Sequence, residues 1–264
     1  MMSQRARLVF MTAAVVAGLS AAVSTQGRDR VVAVAAAADL QTMLPALAAD
    51  FEKATGIKAV VTFGSSGSFF AQIQNGAPFD VFMSADVDYP RRLAEAGQAD
   101  ARTLYPYATG ELVMWVRKDS GLDVRRGLEL VRDPHVRHIA IANPTLAPYG
   151  RAAVAALQSR HLYDAVRDRL VRGDNISQTA QLVQSGNAEV GLISHSTALG
   201  PSMRASGSFA TVLSGAYPAI VQAAVIVSAS AHRDTAQAFL DYLKGPAARK
   251  TLAASGFGAP PAAR

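Results

Sequence analysis

The sequence predicts an α/β protein with two domains, each a mostly parallel sheet flanked by helices. Short apolar segments of strand length alternate with segments whose apolar residues recur at helical spacing, which is typical of parallel sheets covered by helices. The alternation is interrupted near Tyr105–Thr109, and a long apolar segment, Ala219–Val227, follows much later. This order predicts a chain that leaves its first domain, builds a second and then returns.

The composition limits the classes of protein that fit. A chain of 264 residues that is 50% apolar and 17% charged can bury one large core or two smaller ones. Cysteine is absent, which excludes disulfides, thiolate metal sites and cysteine nucleophiles. The net charge of +6 would allow a nucleic-acid partner, but the basic residues are scattered along predicted helices without interleaved aromatic residues. We therefore expect no nucleic-acid binding.

The first residues have the layout of a secretory signal peptide. Arg5 and Arg7 precede an apolar run from Leu8 to about Val23, and small residues follow. Retention as a membrane anchor is the alternative, but glycine, serine and several alanines make the run weakly apolar for a spanning helix. We expect a signal peptide over residues 1–27, its cleavage, and a mature protein in the periplasm.

The first predicted domain comprises residues 28–108 and 218–264. Asp39 follows its first strand and is a candidate N-cap for a helix that ends at Gly56. Pro45 removes a backbone hydrogen bond, so either the first turn is irregular or the regular helix begins at Thr42. The other elements predicted here are strands at Val31–Ala37, Ile57–Phe63, Asp80–Ser84 and Ala219–Val227, and helices at Pro90–Ala96, Thr235–Lys244 and Pro246–Ala254.

The second predicted domain comprises residues 109–217, after the polar-aromatic segment Tyr105–Thr109. Its predicted strands are Glu111–Val116, Ile139–Ala142, a short one before Asp174, and Glu189–Ser194. Its predicted helices are near Leu128–Arg132 and at Arg151–Ser159, Tyr163–Leu170 and Ser177–Ser185.

Strand-to-helix junctions in both domains carry small or hydroxyl residues. Such junctions bind ligands at the carboxyl edge of parallel sheets, and the first helical N–H groups favour an anion. Each junction alone is more often ordinary helix capping, but a ligand held by all of them would lie between the domains. These junctions contain no lysine or arginine before Arg151 and no aromatic box of the kind that binds a sugar or a quaternary amine. Their N–H groups and hydroxyls favour a small, deprotonated oxyanion. The junctions are Ala38-Asp39, Ser65-Ser66-Gly67, Ala147-Pro148-Tyr149-Gly150 and Asn175-Ile176-Ser177.

Several segments carry a family resemblance over nearly all of the chain after the signal peptide. They are AAAADL (Ala35–Leu40), FGSSGSFFAQIQNGAPFDVFMSAD (Phe63–Asp86), YATGELVMW (Tyr107–Trp115), IANPTLAPYGRAA (Ile141–Ala153), GDNISQ (Gly173–Gln178) and YLKGPAARKTLAASGF (Tyr242–Phe257). With them the chain resembles the molybdate-binding proteins of ABC importers, which have the type II periplasmic binding-protein fold. The resemblance implies a clamshell that binds molybdate or tungstate between its domains and delivers it to a membrane permease. It implies neither a cofactor nor a directly ligated metal cation, and we expect a monomer.

The resemblance also places ligand contacts by position. Ser66 corresponds to the second serine of a Ser-Ser turn and would donate through its hydroxyl and its N–H. Ile176 corresponds to a backbone donor at a helix start, and Tyr149 to a residue of the Pro-x-Gly turn. The full set implied is Ala38, Asp39, Ser66, Tyr149, Ile176 and Ser194.

Two of these positions depart from the family pattern. Asp39 stands where the family usually has serine or asparagine, and a carboxylate pointing at a dianion would be repulsive. We therefore expect Asp39 to cap its helix with the carboxylate turned away, or else the ligand is not a simple dianion. Ser194 stands where many members have tyrosine, so Tyr149 would have to supply the missing phenolic donor.

Other functions remain open at this point. The chain could bind a different small oxyanion or polar solute, or it could be a ligand sensor for a membrane receptor. An enzyme is not expected, because Ser66 lies in no G-x-S-x-G elbow. The 5 histidines also lack metal-binding spacing such as H-E-x-x-H.

Overall fold

A computed structural model describes residues 30–261 and contains two five-stranded sheets. The strands are β1 (Val31–Ala37), β2 (Lys58–Gly64), β3 (Val81–Ser84), β4 (Tyr105–Gly110), β5 (Leu112–Arg117), β6 (Ile139–Ala142), β7 (Leu170–Gly173), β8 (Val190–Ser194), β9 (Gly207–Thr211) and β10 (Ile220–Ile226). The first sheet has the order β2-β1-β3-β10-β4, and the second has the order β7-β6-β8-β5-β9.

Helices cover both sheets. They are α1 (Leu44–Thr55), α2 (Ser66–Gln74), α3 (Asp88–Glu95), α4 (Pro148–Ser159), α5 (Tyr163–Val166), α6 (Ile176–Gln184), α7 (His195–Ala198), α8 (Pro201–Ser206), α9 (Arg233–Lys244) and α10 (Pro246–Ala254). Short 3-10 segments lie at Ala38–Leu40, Ala101–Thr103, Val124–Arg132 and Arg167–Arg169.

The two sheets agree with the predicted α/β class, and each sheet is mixed. In the first sheet β1 pairs in parallel with β2 and β3, whereas β10 is antiparallel to β3 and β4. In the second sheet β6 pairs in parallel with β7 and β8, whereas β5 is antiparallel to β8 and β9. The carboxyl ends of the parallel strands therefore form one edge of each sheet, where helices begin.

The chain passes between the sheets twice. It leaves the first sheet between β4 and β5 and returns between β9 and β10. We call the first sheet with α1–α3, α9 and α10 the first lobe, and the second sheet with α4–α8 the second lobe. The domain limits 28–108, 109–217 and 218–264 given above stay a prediction.

Each lobe has its own buried core. In the first lobe, Phe51 of α1 and Phe239 of α9 pack edge to face, with ring centroids 5.2 Å apart. Phe69 and Phe70 of α2 form a separate cluster on the other face of that sheet. Trp115 of β5 is fully buried in the core of the second lobe. Burial of these large side chains holds each sheet and its helices together, so that the edges that carry the junctions have a fixed shape.

Several elements differ from the sequence expectations. The helix expected over Tyr163–Leu170 stops at Val166, because Leu170 pairs with Ile139 as the first residue of β7. The helix expected near Leu128–Arg132 is a 3-10 segment kinked at Gly127, which has a φ of 58°. Tyr105–Thr109 belongs to a strand, β4, and β9 was not predicted.

The predicted signal peptide and its anchor alternative lie outside the described residues. Within residues 30–261, no helix combines the length and the apolar composition that crossing a membrane requires.

Candidate functional site

The predicted junctions meet at one small cavity between the lobes. It holds about 200 Å³ of empty space, including the part open to solvent. Its lining is Ala37, Ala38, Asp39, Gly64, Ser65, Ser66, Ala85, Ala147, Pro148, Tyr149, Asn175 and Ile176. A space this small suits a ligand of a few atoms rather than a drug-sized molecule.

Three helices begin at this cavity. Ser66 and Ile176 are the first residues of α2 and α6, and Tyr149 is the second residue of α4, after Pro148. The N–H groups of a first helical turn have no acceptor within their own helix. The backbone N–H groups of Ser66, Tyr149 and Ile176 also donate no hydrogen bond elsewhere within residues 30–261. The cavity lining therefore contains three backbone donors that a ligand could use.

The Ser66 hydroxyl adds a fourth donor. Its Oγ accepts a hydrogen bond from the Ala85 N–H at 2.9 Å, which fixes the side chain against the end of β3. Among the described residues the hydroxyl donates to no acceptor, so its proton is available to a ligand. Ser65, by contrast, is the N-cap of α2, and its hydroxyl donates to Ser68 Oγ at 2.7 Å.

Asp39 is the charged residue of the lining, and its side chain is 1% exposed. Gln222 of β10 donates a hydrogen bond from Nε2 to Asp39 Oδ2. Asp39 Oδ1 is buried and accepts no hydrogen bond of normal geometry from the described residues. Burial raises the pKa of this carboxyl to about 6, although Gln222 and the Tyr149 hydroxyl act to lower it.

This geometry corrects the expectation that Asp39 caps a helix. Asp39 is the middle residue of the 3-10 segment Ala38–Leu40, whose N-cap is Ala37, and no side chain caps that segment. Its carboxyl accepts a hydrogen bond from Gln222 of β10 instead. The expected cap is therefore wrong: Asp39 lies inside the segment, and its side chain is almost fully buried.

A buried polar network continues from Asp39. Gln222 Nε2 also donates to the Tyr149 hydroxyl at 3.2 Å, and Gln222 Oε1 accepts from the Tyr107 hydroxyl at 2.7 Å. Burial raises the pKa values of both tyrosines well above their ordinary range. Gln222 and Tyr107 were not among the predicted site residues. The sequence could have indicated Gln222 as a site residue, because it is a polar residue within the otherwise apolar strand β10.

Five of the six predicted site residues line the cavity, and Ser194 does not. Ser194 is the N-cap of α7: its Oγ accepts from the Thr197 N–H at 3.2 Å and donates to Thr197 Oγ1 at 2.7 Å. Because the hydroxyl proton of Ser194 is donated to Thr197 Oγ1, the side chain has no donor left for a ligand. Its neighbour Ser196 instead reaches the other lobe, where it donates to the Asp39 carbonyl oxygen at 3.0 Å.

Further hydrogen bonds join the lobes around the cavity. The Gly67 N–H donates to the Leu146 carbonyl oxygen at 2.8 Å, and Ser177 Oγ donates to the Ala38 carbonyl oxygen at 3.1 Å. Asp86, at the end of β3, pairs with Arg151 of α4. The lobes are therefore closed on each other, with polar contacts on both sides of the cavity.

The charges in and near the cavity are few. No Lys, Arg or His is part of the lining, and the guanidinium of Arg151 is engaged by Asp86. In the part of the chain that the structure describes, no group of three or more His, Asp or Glu side chains is placed to hold a metal ion. The site thus offers backbone amides, one hydroxyl and one carboxyl. This set can bind an anion that accepts hydrogen bonds.

Comparison with known proteins places the chain in a family. Residues 32–258 match the family described as bacterial extracellular solute-binding protein. The molybdate-binding protein ModA of Azotobacter vinelandii is 40% identical over 227 residues, which cover 86% of this chain and 89% of that protein. The ModA protein of Rhodobacter capsulatus is 36% identical over 226 residues, covering 86% and 87% of the two chains.

A solved structure gives the same result. The periplasmic molybdate-binding protein of Azotobacter vinelandii superposes with a TM-score of 0.81 at 34% identity, covering 87% of this chain and 99% of that one. This match confirms the predicted two-lobed binding-protein fold. The chain therefore belongs to the bacterial extracellular solute-binding proteins, a family of binding proteins rather than enzymes, and within it to the group of the ModA molybdate-binding proteins.

Proposed function

We propose that this protein captures molybdate or tungstate in the cavity between its lobes and delivers it to the membrane permease of an ABC importer. It would act in the periplasm, as a monomer, with the anion as cargo rather than as a cofactor. The observation that carries this proposal is the convergence of three unpaired first-turn amides and the Ser66 hydroxyl on one small cavity. The relatives that share the fold are named as molybdate-binding proteins, which supports the same ligand here.

The donors suit a tetrahedral oxyanion better than a neutral polar solute. Helices α2, α4 and α6 have 9, 12 and 9 residues, long enough for each N-terminus to carry partial positive charge. A sugar would need acceptors for its hydroxyl protons, and the side chains of the lining offer few besides Asp39. An oxyanion whose four oxygens only accept hydrogen bonds matches the amides and the hydroxyl.

The two lobes divide the work of binding. Ser66 belongs to the first lobe, whereas Tyr149 and Ile176 belong to the second. An open protein would bind the anion through Ser66, and closure would add the amides of α4 and α6. Because the ligand gains these contacts only in the closed form, it shifts the population toward that form, which then docks on the permease.

Size would select the anion. Each donor is fixed to a helix start, so the shell of donors has little freedom to contract. Sulfate is smaller than molybdate and would leave longer, weaker hydrogen bonds to the same donors. We therefore expect tungstate and molybdate to bind alike and sulfate to bind more weakly.

Thermal unfolding with added anions tests this proposal. A ligand that binds only the folded state, present at 100 times its dissociation constant, adds about 2.7 kcal/mol of stability. For a protein of this size that corresponds to a rise in melting temperature of roughly 5–10 °C. We expect this rise with molybdate and tungstate and a smaller one with sulfate or phosphate. No rise with either metal oxyanion, alongside a rise with another solute, would contradict the proposal.

A pair of serine variants tests the site within the same experiment. Ser66→Ala removes a donor to a charged ligand and should weaken molybdate binding roughly 10- to 100-fold. Ser208→Ala changes an exposed serine of β9 outside the lining, so this variant should bind like the wild type. Equal affinity in both variants, measured by titration calorimetry, would show that the anion binds elsewhere.

A further inference from the structure

Asp39 has one carboxyl oxygen free for a ligand. Its Oδ2 accepts a hydrogen bond from Gln222, whereas Oδ1 is buried, accepts no hydrogen bond of normal geometry from the described residues and belongs to a residue of the cavity lining. A buried polar atom without a partner is unfavourable, so Oδ1 requires either a donor or a proton of its own.

A bound dianion would decide between these two possibilities. An oxyanion such as molybdate has no proton to donate, and the cavity lining contains no basic side chain that could offset a further negative charge. An ionised Asp39 would then stand beside the anion with nothing between the two charges. A protonated Asp39 removes the repulsion and becomes a hydrogen-bond donor.

The groups that face Asp39 from each neighbouring element are uncharged. They are Tyr107 of β4, Tyr149 of α4, Gln222 of β10, Ser177 of α6, Ser196 of α7 and Ser66 of α2. The two tyrosines stay neutral, because burial raises their pKa values well above the ordinary range. The nearest ion pair, Asp86 with Arg151, is already balanced. Asp39 is therefore the group here that can take up a proton when an anion arrives.

We propose that Asp39 holds a proton when the site is occupied and donates it from Oδ1 to the oxyanion as a hydrogen bond, so that each anion binds together with one proton. This inference rests on the proposed function of the same cavity. It makes Asp39 a specificity-determining residue that favours oxyanions without protons of their own.

The inference predicts a defined pH dependence. Burial raises the pKa of Asp39 to about 6 in the free protein, and an adjacent dianion must raise this pKa further. At a pH between the pKa of Asp39 in the free protein and its pKa in the occupied protein, anion binding requires the uptake of a proton. The dissociation constant for molybdate should then rise toward tenfold for each pH unit above about 6 and should be constant below about pH 5.

Titration calorimetry on the wild-type protein tests the proton directly. Molybdate is titrated at pH 7.5 in buffers with different ionisation enthalpies, and the slope of the observed enthalpy gives the number of protons taken up. We expect close to one proton per anion at pH 7.5 and close to none at pH 5. Tight molybdate binding with no proton uptake and a constant affinity from pH 6 to 8.5 would overturn this inference and leave the proposed function intact.

Two Asp→Asn variants assign the proton to its residue. Asp39→Asn resembles the protonated carboxyl, so it should bind molybdate at pH 7.5 at least as tightly as the wild type, without proton uptake and without the pH dependence. Asp164→Asn, which changes an exposed carboxylate on α5, should behave as the wild type. Proton uptake that persists in Asp39→Asn, or a tenfold loss of affinity at every pH, would overturn the assignment to Asp39. If neither molybdate nor tungstate binds the wild type at any pH, the proposed function fails, and this inference fails with it.

Discussion

Asp39 is a buried carboxyl whose ionisation opposes folding. Burial raises its pKa to about 6, whereas an unfolded aspartate has a pKa of about 3.9. The folded state thus holds the proton more tightly, and stability increases as the pH falls from about 6 to about 4. A difference of about 2 pKa units corresponds to about 3 kcal/mol that the ionised carboxylate costs the ligand-free protein above pH 6.

The Asp39→Asn variant isolates this effect from other titrating groups. Without ligand at pH 7.5, its free energy of unfolding should exceed that of the wild type by up to about 3 kcal/mol. The excess should shrink as the pH falls through 6 and reach about 0.5 kcal/mol at pH 4, where the folded carboxyl is protonated and about half of the unfolded ones are. Denaturant unfolding of both proteins from pH 4 to 8 measures this difference. A difference that is the same at every pH would contradict the assigned pKa.

At the scale of single elements, α2 brings the first lobe against the second. The Gly67 N–H donates to Leu146 of the second lobe at 2.8 Å, and a Cβ on Gly67 would lie 2.7 Å from both the Leu146 carbonyl oxygen and the Tyr89 hydroxyl oxygen. Gly67 has ordinary helical geometry, because it is the second residue of α2. The glycine is thus required by the close approach of the lobes and not by its own backbone conformation.

Gly67→Ala should therefore impair closure and leave the helix intact. Alanine favours a helix by up to about 1 kcal/mol over glycine, so the melting temperature of the ligand-free protein should not fall. The steric overlap with Leu146 should cost about 1–3 kcal/mol in the closed form, which weakens molybdate binding roughly 5- to 150-fold. Calorimetry and thermal unfolding measure the two effects, with Gln72→Ala, at an exposed position of the same helix, as the control. Unchanged affinity would show that closure does not require this contact.

The elements also show how far the sequence predicts the structure. Apolar periodicity located β1, β6, β8 and both C-terminal helices to within about two residues, because these elements bury a regular face. Strand β9, with the sequence GSFAT, has no such face, and it forms because it pairs with β5 at the edge of its sheet. Leu170 was assigned to a helix since its parallel pairing with Ile139 is not visible locally.

In the candidate site, too, the features with a local sequence signal were predictable, and those that depend on distant residues were not. The junctions with Ser66, Tyr149 and Ile176 were predictable, because helix starts with small or hydroxyl residues after apolar strands have a local signature. The direction of the Asp39 side chain was not, because its partner Gln222 lies 183 positions along the chain. Ser194 was assigned to the site by position alone, and only the structure shows that its hydroxyl caps α7.

At the scale of the whole molecule, polar contacts connect the two lobes on both sides of the cavity. Asp86 and Arg151 form an ion pair between the lobes, and Arg151 also donates to the Tyr89 hydroxyl at 3.3 Å. On the opposite side Ser177 and Ser196 donate to backbone carbonyls of Ala38 and Asp39. These contacts form without the ligand, and the anion would stabilise the closed form further through its own contacts with both lobes.

The central claim is that an oxyanion lies between the lobes on the amides of three helix starts. Anomalous diffraction from crystals of the protein with tungstate tests it most directly, because tungsten identifies the bound atom. We expect one strong peak in the cavity, with oxygens within hydrogen-bonding distance of Ser66 Oγ and of the backbone nitrogens of Ser66, Tyr149 and Ile176. A peak outside the cavity, or one in the cavity without contact to Ser66, would contradict this account.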